Sequence, residues 1–206
     1  MLFVGEAPPA SGRFFYQADS GLYRAIRDAF VDACSNVGED DFLKSFRDLG
    51  CYLVDLCGKP VDRMKGKQRR RACREGEVRL ARVLKQLRPK IVIMVVRSIA
   101  PNVRRSEFRA AWSGQHIELP YPGRWIHHRR AFLTTLTPIL REYCGSRLSS
   151  RAGVRRGTEQ VDPKPAVQSL ANSFFNRRQR SAPGFSSRRV QSSGQSGKIG
   201  RVSVPA

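Results

Sequence analysis

One carboxylate, Glu6, stands at the end of the short apolar run Leu2-Phe3-Val4, inside the turn Gly5-Glu6-Ala7-Pro8. Three adjacent rings, Phe14, Phe15 and Tyr16, follow closely. A strand-end carboxylate beside aromatic rings suits a pocket that grips a flat ring and turns water against the bond holding it. Such a carboxylate orients or deprotonates the water, or steadies a cation forming on a sugar. General-base assistance of this kind contributes about 10²–10⁴-fold. Stacking on an aromatic ring is worth about 1–3 kcal/mol per base. Three consecutive rings cannot all face inward, so at least one is expected to line a groove. The plainer roles are a Glu6 that caps the first helix or pairs with an arginine, and a Phe15 packed beneath that helix.

Further polar side chains fall where they could complete such a pocket. Asp55 ends the apolar run Cys51–Leu56. An ionised Asp only accepts hydrogen bonds, so it favours a donor-rich partner, unless burial protonates it. Its plainer role is an Asp satisfied by backbone amides at a turn. His127 and His128 precede Arg129 and Arg130 at an expected helix start, a place suited to phosphates. Tyr121, Arg124 and Trp125 form the loop between the last strand and that helix. Arg63, Lys65, Lys67, Arg69, Arg70, Arg71 and Arg74 make the densest basic run. With Gly66 inside it, the run reads as a flexible loop entering a helix and suited to backbone phosphates. Its plainer role is a solvated basic loop.

The whole chain supports a polyanionic partner. Its 206 residues carry 38 Lys and Arg against 17 Asp and Glu, a net charge of +21, and the sequence pI is about 11.1. The first 145 residues hold 26 of those cations against 15 acids, and the remainder 12 against 2, so both parts are basic. Such a field favours DNA, RNA or an anionic membrane. No apolar run approaches the roughly 18 residues of a membrane span. The opening apolar stretch is broken by Glu6, so no secretory signal is expected, although a start upstream of Met1 is an open alternative. Five cysteines without secretory context read as reduced thiols. The expectation is a cytoplasmic monomer, nucleoid-associated if bacterial, that binds DNA and no membrane.

Four apolar segments read as strands: Leu2–Val4, Cys51–Leu56, Lys90–Val96 and His116–Leu119. The second and third are near-continuous apolar runs, as in strands covered on both faces. Helical faces lie between and after them: Leu22, Ile26, Ala29 and Phe30; Val78, Ala81, Leu84 and Leu87; Ala131, Leu133, Leu136 and Leu140, with a bend at Pro138. Alternating strands and helices predict an α/β fold, three layers α/β/α around a mostly parallel four-stranded sheet. Ligands bind such sheets at the carboxyl ends of the strands. Glu6, Asp55, Ser98 and Pro120–Pro122 all fall there. The domain is expected over 1–145. Residues 146–206 are rich in Ser, Arg, Gly, Pro and Gln and read as a disordered basic tail whose one aromatic-basic cluster is Phe174-Phe175-Asn176-Arg177-Arg178.

Gly5-Glu6-Ala7-Pro8 followed by Gly12-Arg13-Phe14-Phe15 resembles the first motif of the iron–sulfur branch of the uracil-DNA glycosylase superfamily. Arg71-Ala72-Cys73-Arg74, Leu87-Arg88-Pro89-Lys90 and Leu119-Pro120-Tyr121-Pro122 resemble its later motifs in the same order. The likeness spans roughly residues 1–143. It implies a glycosylase that hydrolyses the N-glycosidic bond of a flipped uracil or other deaminated or damaged base. Glu6 would act on the water, Phe15 would stack the base, and Gly5, Ala7 and Asp55 would line the base site. Tyr121 or Trp125 would fill the gap the base leaves. Asp55 stands where the family reads the base edge with Asn. Leu119 stands where it has a late histidine, and His127 or His128 would have to compensate. The loop between Pro8 and Gly12 is shorter than the family's and lacks its acidic pair. Only Cys57 and Cys73 resemble cluster cysteines, and two thiols cannot close a four-ligand cluster, so no cofactor is expected. A non-catalytic nucleic-acid-binding relative and a nucleoside or nucleotide hydrolase are the competing functions.

Overall fold

In the computed structural model the described residues are 1–123 and 125–153, the side chains of 147–153 excepted. The expected tail beyond residue 153 lies outside them. The chain alternates β1 (Leu2–Gly5), α1 (Gly21–Ala33), α2 (Phe42–Asp48), β2 (Tyr52–Asp55), α3 (Gly66–Leu87), β3 (Ile91–Met94), α4 (Ala100–Ala110), β4 (Gln115–Glu118) and α5 (Ile126–Gly153). The strands form one sheet in the order β2-β1-β3-β4, and every pairing is parallel. Leu2 faces Tyr52 on one side and Val92 on the other, and Ile91 faces Gln115. All four carboxyl ends therefore open on one rim, which is what a parallel sheet offers a ligand.

Side chains that alternate along the strands build a core on each face. Leu2, Val4, Val92 and Met94 pack with Leu80, Leu84 and Val103 of α3 and α4. Phe3 and Ile93 pack with Ile26 and Phe30 of α1, Phe42 and Phe46 of α2, and Phe132, Leu136 and Leu140 of α5. The second core is largely aromatic: Phe46 meets Phe3, Phe30 and Phe42 with ring centroids 5.6 Å apart in each case. Tilted ring pairs at such distances add attraction beyond the area they bury.

The structure departs from the sequence expectations in five places. α2 is too short for a periodic signal; only the i, i+4 pair Phe42 and Phe46 marks it. β2 lies at the edge of the sheet and is only partly covered. Its exposed edge is capped by Tyr16, whose hydroxyl donates to the Leu53 carbonyl at 3.0 Å and accepts the Leu53 N–H at 2.8 Å. Val78, expected to face inward, is 46% exposed. Instead Cys73, Glu77, Leu80, Ala81 and Leu84 make the inner stripe of α3. The basic run enters its helix early: Arg63 and Lys65 precede α3, which begins at Gly66 with Lys65 as its N-cap, so Lys67 to Arg74 already form its first turns. α5 continues through Pro138 to Gly153, so the boundary expected at 145 falls inside a helix.

The cysteines need the largest correction. They are not all reduced: Cys34 and Cys144 form a disulfide, with Cα atoms 6.0 Å apart and 110 residues between them. α1 and α5 pack side by side in the same core, and that brings the two distant positions together. A loop of this length contributes about 4–5 kcal/mol in the chain-entropy account. Disulfides persist in oxidising surroundings or in hyperthermophile cells. Cys51, Cys57 and Cys73 are buried and lie outside that disulfide. No helix among the described residues is long and apolar enough to cross a membrane.

Candidate active site

Glu6 leaves β1 on a fixed backbone. The pairing of β1 with β2 continues past the strands: the Leu56 N–H donates to Gly5 O at 2.8 Å and the Cys57 N–H to Glu6 O at 2.7 Å. The Glu6 side chain is 13% exposed. Arg69 grips its carboxylate with both prongs, Nε donating to Oε1 at 2.6 Å and a terminal N–H donating to Oε2. Bidentate, charge-assisted pairs of this kind are among the strong ones. Helical phase explains the choice of Arg69. At 100° per residue it lies about 200° around α3 from Lys67, on the side turned to the sheet, while Lys67, Arg70 and Arg71 face outward. The basic run thus gives one guanidinium to Glu6.

Two glycines set this geometry. Gly5 pairs with Asp55, and a Cβ on Gly5 would lie 2.6 Å from Asp55 Oδ1. The bare strand end thereby leaves room for the Asp55 carboxylate against Gly5, while Glu6, one residue on, turns to α3. A Cβ on Gly76 would lie 2.2 Å from the Leu56 carbonyl oxygen, so α3 rests directly on the chain leaving β2. Arg79 donates to the carbonyls of Asp55 and Leu56 from the same helix. This contact carries Arg69 and Cys73 over Glu6. Ala7 packs against the α3–α4 core.

Cys57 and Cys73 face each other with sulfurs 3.7 Å apart, and Cys73 Sγ is 4.0 Å from Glu6 Oε1. Burial, then the neighbouring Cys73, pushes the Cys57 thiol up to about 12, and burial raises Cys73 as well. Both stay protonated at neutral pH. Among the described residues no group of three or more His, Cys, Asp or Glu is arranged to hold a metal ion.

Phe15 needs a correction. It is 2% exposed and packs against Tyr16, Phe46 and Tyr23 at 5.1, 5.3 and 5.8 Å, so it offers no open face to a base. The 3₁₀ turn Phe15–Gln17 tucks the middle ring beneath α1 and sends Tyr16 onto the β2 edge.

Asp62 ties its own rim loop to the one that carries Ala10. Its Oδ2 accepts the Ala10 N–H at 2.9 Å, and burial together with the Asp62 charge raises the Tyr121 hydroxyl above its ordinary value. The Tyr121, Trp125 and Ile126 side chains are each exposed, at 52, 65 and 78%. Arg124 lies outside the described residues. His127 and His128 sit exposed at the start of α5 with ring centroids 4.2 Å apart. The Glu6 carboxylate meets Arg69 and Cys73, and neither histidine is among its partners. Arg129 pairs with Asp28. Leu119 is fully buried in the aromatic core. His116 sits at the start of β4 with Nδ1 2.6 Å from Glu107 Oε1, away from the rim. Arg63, Lys65, Lys67 and Arg70 are exposed.

The plainer role read from the sequence for Glu6, pairing with an arginine, is the one the structure shows, with Arg69 as the unnamed partner. Sequence reasoning missed the Asp62–Ala10 bond and the Cys57–Cys73 contact. No family model, curated protein or solved structure matches this chain.

Proposed function

We propose that this chain is a DNA glycosylase-like protein, hydrolysing the N-glycosidic bond of a flipped uracil or other deaminated or damaged base. The observation that carries the proposal is Glu6: a carboxylate on a fixed backbone at the strand rim, with α3's cations beside it. Extruding a nucleotide costs a few kcal/mol. Contacts to the flanking phosphates from Arg63, Lys65, Lys67 and Arg70 offset part of that cost. A phosphate arriving at the rim competes for Arg69 and releases the Glu6 carboxylate. Water then adds to the sugar carbon as the carbon–nitrogen bond breaks. The bonding pair leaves with the base, and the water proton passes to Glu6. With Phe15 in the core, Tyr121 and Trp125 are the rings open to stack a base or fill the gap.

A second reading is a nucleic-acid-binding relative without catalysis. The Arg69 clasp favours it, and so does Leu119, which places no imidazole beside the leaving base. A strand-break assay separates the two. Fluorescent oligonucleotides carrying one uracil, hypoxanthine or xanthine are incubated with the protein and then with alkali. The glycosylase reading expects breakage at the modified site. Salt-dependent binding with no breakage on any substrate would replace it with the second reading.

A further inference from the structure

The outer face of α3 continues well past the candidate site. Lys67, Arg70, Arg71, Arg74, Val78, Arg82 and Lys85 recur every three or four residues and are all exposed, so they form one stripe. The stripe is about 27 Å long at 1.5 Å per residue. It runs from the Glu6 rim to the opposite end of the sheet. There it enters two adjoining clefts that share Lys85. The smaller, about 330 Å³, is lined by Val78, Ala81, Arg82, Lys85 and Arg109. The larger, about 620 Å³, includes Lys85, Arg88, Lys90 and Trp112. Trp112 is fixed there: its indole N–H donates to Pro89 O at 2.6 Å, and a Cβ on Gly114 would lie 2.3 Å from its ring.

Several arginines outside the stripe are neutralised within the fold. Arg27, Arg104, Arg105, Arg129 and Arg141 are all matched by carboxylates. Arg82, Lys85, Arg88 and Lys90 are exposed, and their side chains make no ion pair among the described residues. Cations near the end of α3 complement its dipole, but that accounts for Lys85 and Arg88 and leaves Arg82 and Lys90. Like charges three or four residues apart cost a helix a few tenths of a kcal/mol per pair unless something neutralises them.

We propose that the outer stripe of α3 and the Trp112 cleft form a second nucleic-acid contact. In it the phosphates of a single strand track Arg82, Lys85, Arg88 and Lys90, and a base meets the Trp112 ring. The charge matches, the apolar floor of Val78, Ala81, Leu84 and Ala110 suits bases, and aromatic rings in cationic grooves are the usual platform for single strands. The inference rests on the nucleic-acid part of the function proposed above and is independent of catalysis.

Fluorescence anisotropy of the full chain with labelled single strands of 6 and 20 nucleotides, over a series of potassium chloride concentrations, tests it. The quadruple variant R82Q/K85Q/R88Q/K90Q should weaken binding of the longer strand and lower its log–log salt slope by about 3. Binding of the 6-mer, confined to the rim, should change less than twofold. A rim variant, R63Q/K65Q/K67Q/R70Q, should weaken both. In a Trp125→Phe background, where Trp112 is the remaining tryptophan, the longer strand should quench the fluorescence. An unchanged slope in the quadruple variant together with unquenched Trp112 overturns the inference while the rim contact stands. Wild-type protein that binds neither strand overturns both.

Discussion

The Glu6–Arg69 pair gives the rim a carboxylate that is oriented and occupied, and in the proposed function an anion draws Arg69 away. Glu6→Gln keeps the shape and removes the base. Product formation should fall about 10²–10⁴-fold while affinity for DNA stays within a few-fold. The neighbouring thiols make a separate statement. Because burial holds Cys57 up to about 12, it remains a thiol through the neutral range, and thiolate is the reactive form. Iodoacetamide at pH 8 should therefore leave Cys57 and Cys73 unlabelled in the native protein and label both in denaturant, as peptide mass spectrometry would read. Rapid native labelling would mean that the α3–β2 contact opens.

At the scale of elements, that contact rests on a missing side chain. Gly76→Ala must push α3 away from the Leu56 carbonyl, because backbone meets the new Cβ at 2.2 Å. The gain in helix propensity, about 1 kcal/mol, does not offset such a clash. The melting temperature should drop by several degrees. On the other face, reducing Cys34–Cys144, or replacing both residues with Ser, should cost about 4–5 kcal/mol in chemical denaturation. These elements were unequally legible in the sequence. The strands announced themselves because Leu2–Val4 and the run around Ile91–Met94 are short, apolar and bounded by turn residues. Glu6 and Asp55 at strand ends followed from the alternation of elements. Phe15 did not, because sequence cannot say which of three adjacent rings turns inward; the 3₁₀ turn decides that. The disulfide was invisible because it depends on α1 and α5 sharing a core across 110 residues. Val78 showed the opposite failure: an apolar residue in phase with a polar stripe reads as core until the cations around it are placed on the same face.

Across the whole molecule the dominant quantity is charge. A net +21 on 206 residues predicts association with nucleic acid that is fast and strongly salt-dependent. With six or more phosphate contacts on duplex DNA, log affinity should fall with log salt with a slope steeper than about −5. A slope near zero would make the charge a property of the surface alone. The fold gives the rim its carboxylates and α3 its cations, and in the proposed function a strand drawn to the helix would be delivered to Glu6. The most direct measurement is the release of free base, by chromatography, from uracil- and hypoxanthine-containing single strands under excess protein, comparing wild type with Glu6→Gln. The account expects base released by the wild type and a loss of at least about 100-fold in the variant, with binding retained. Release that survives Glu6→Gln, or no release by the wild type from any strand that it binds, would contradict it.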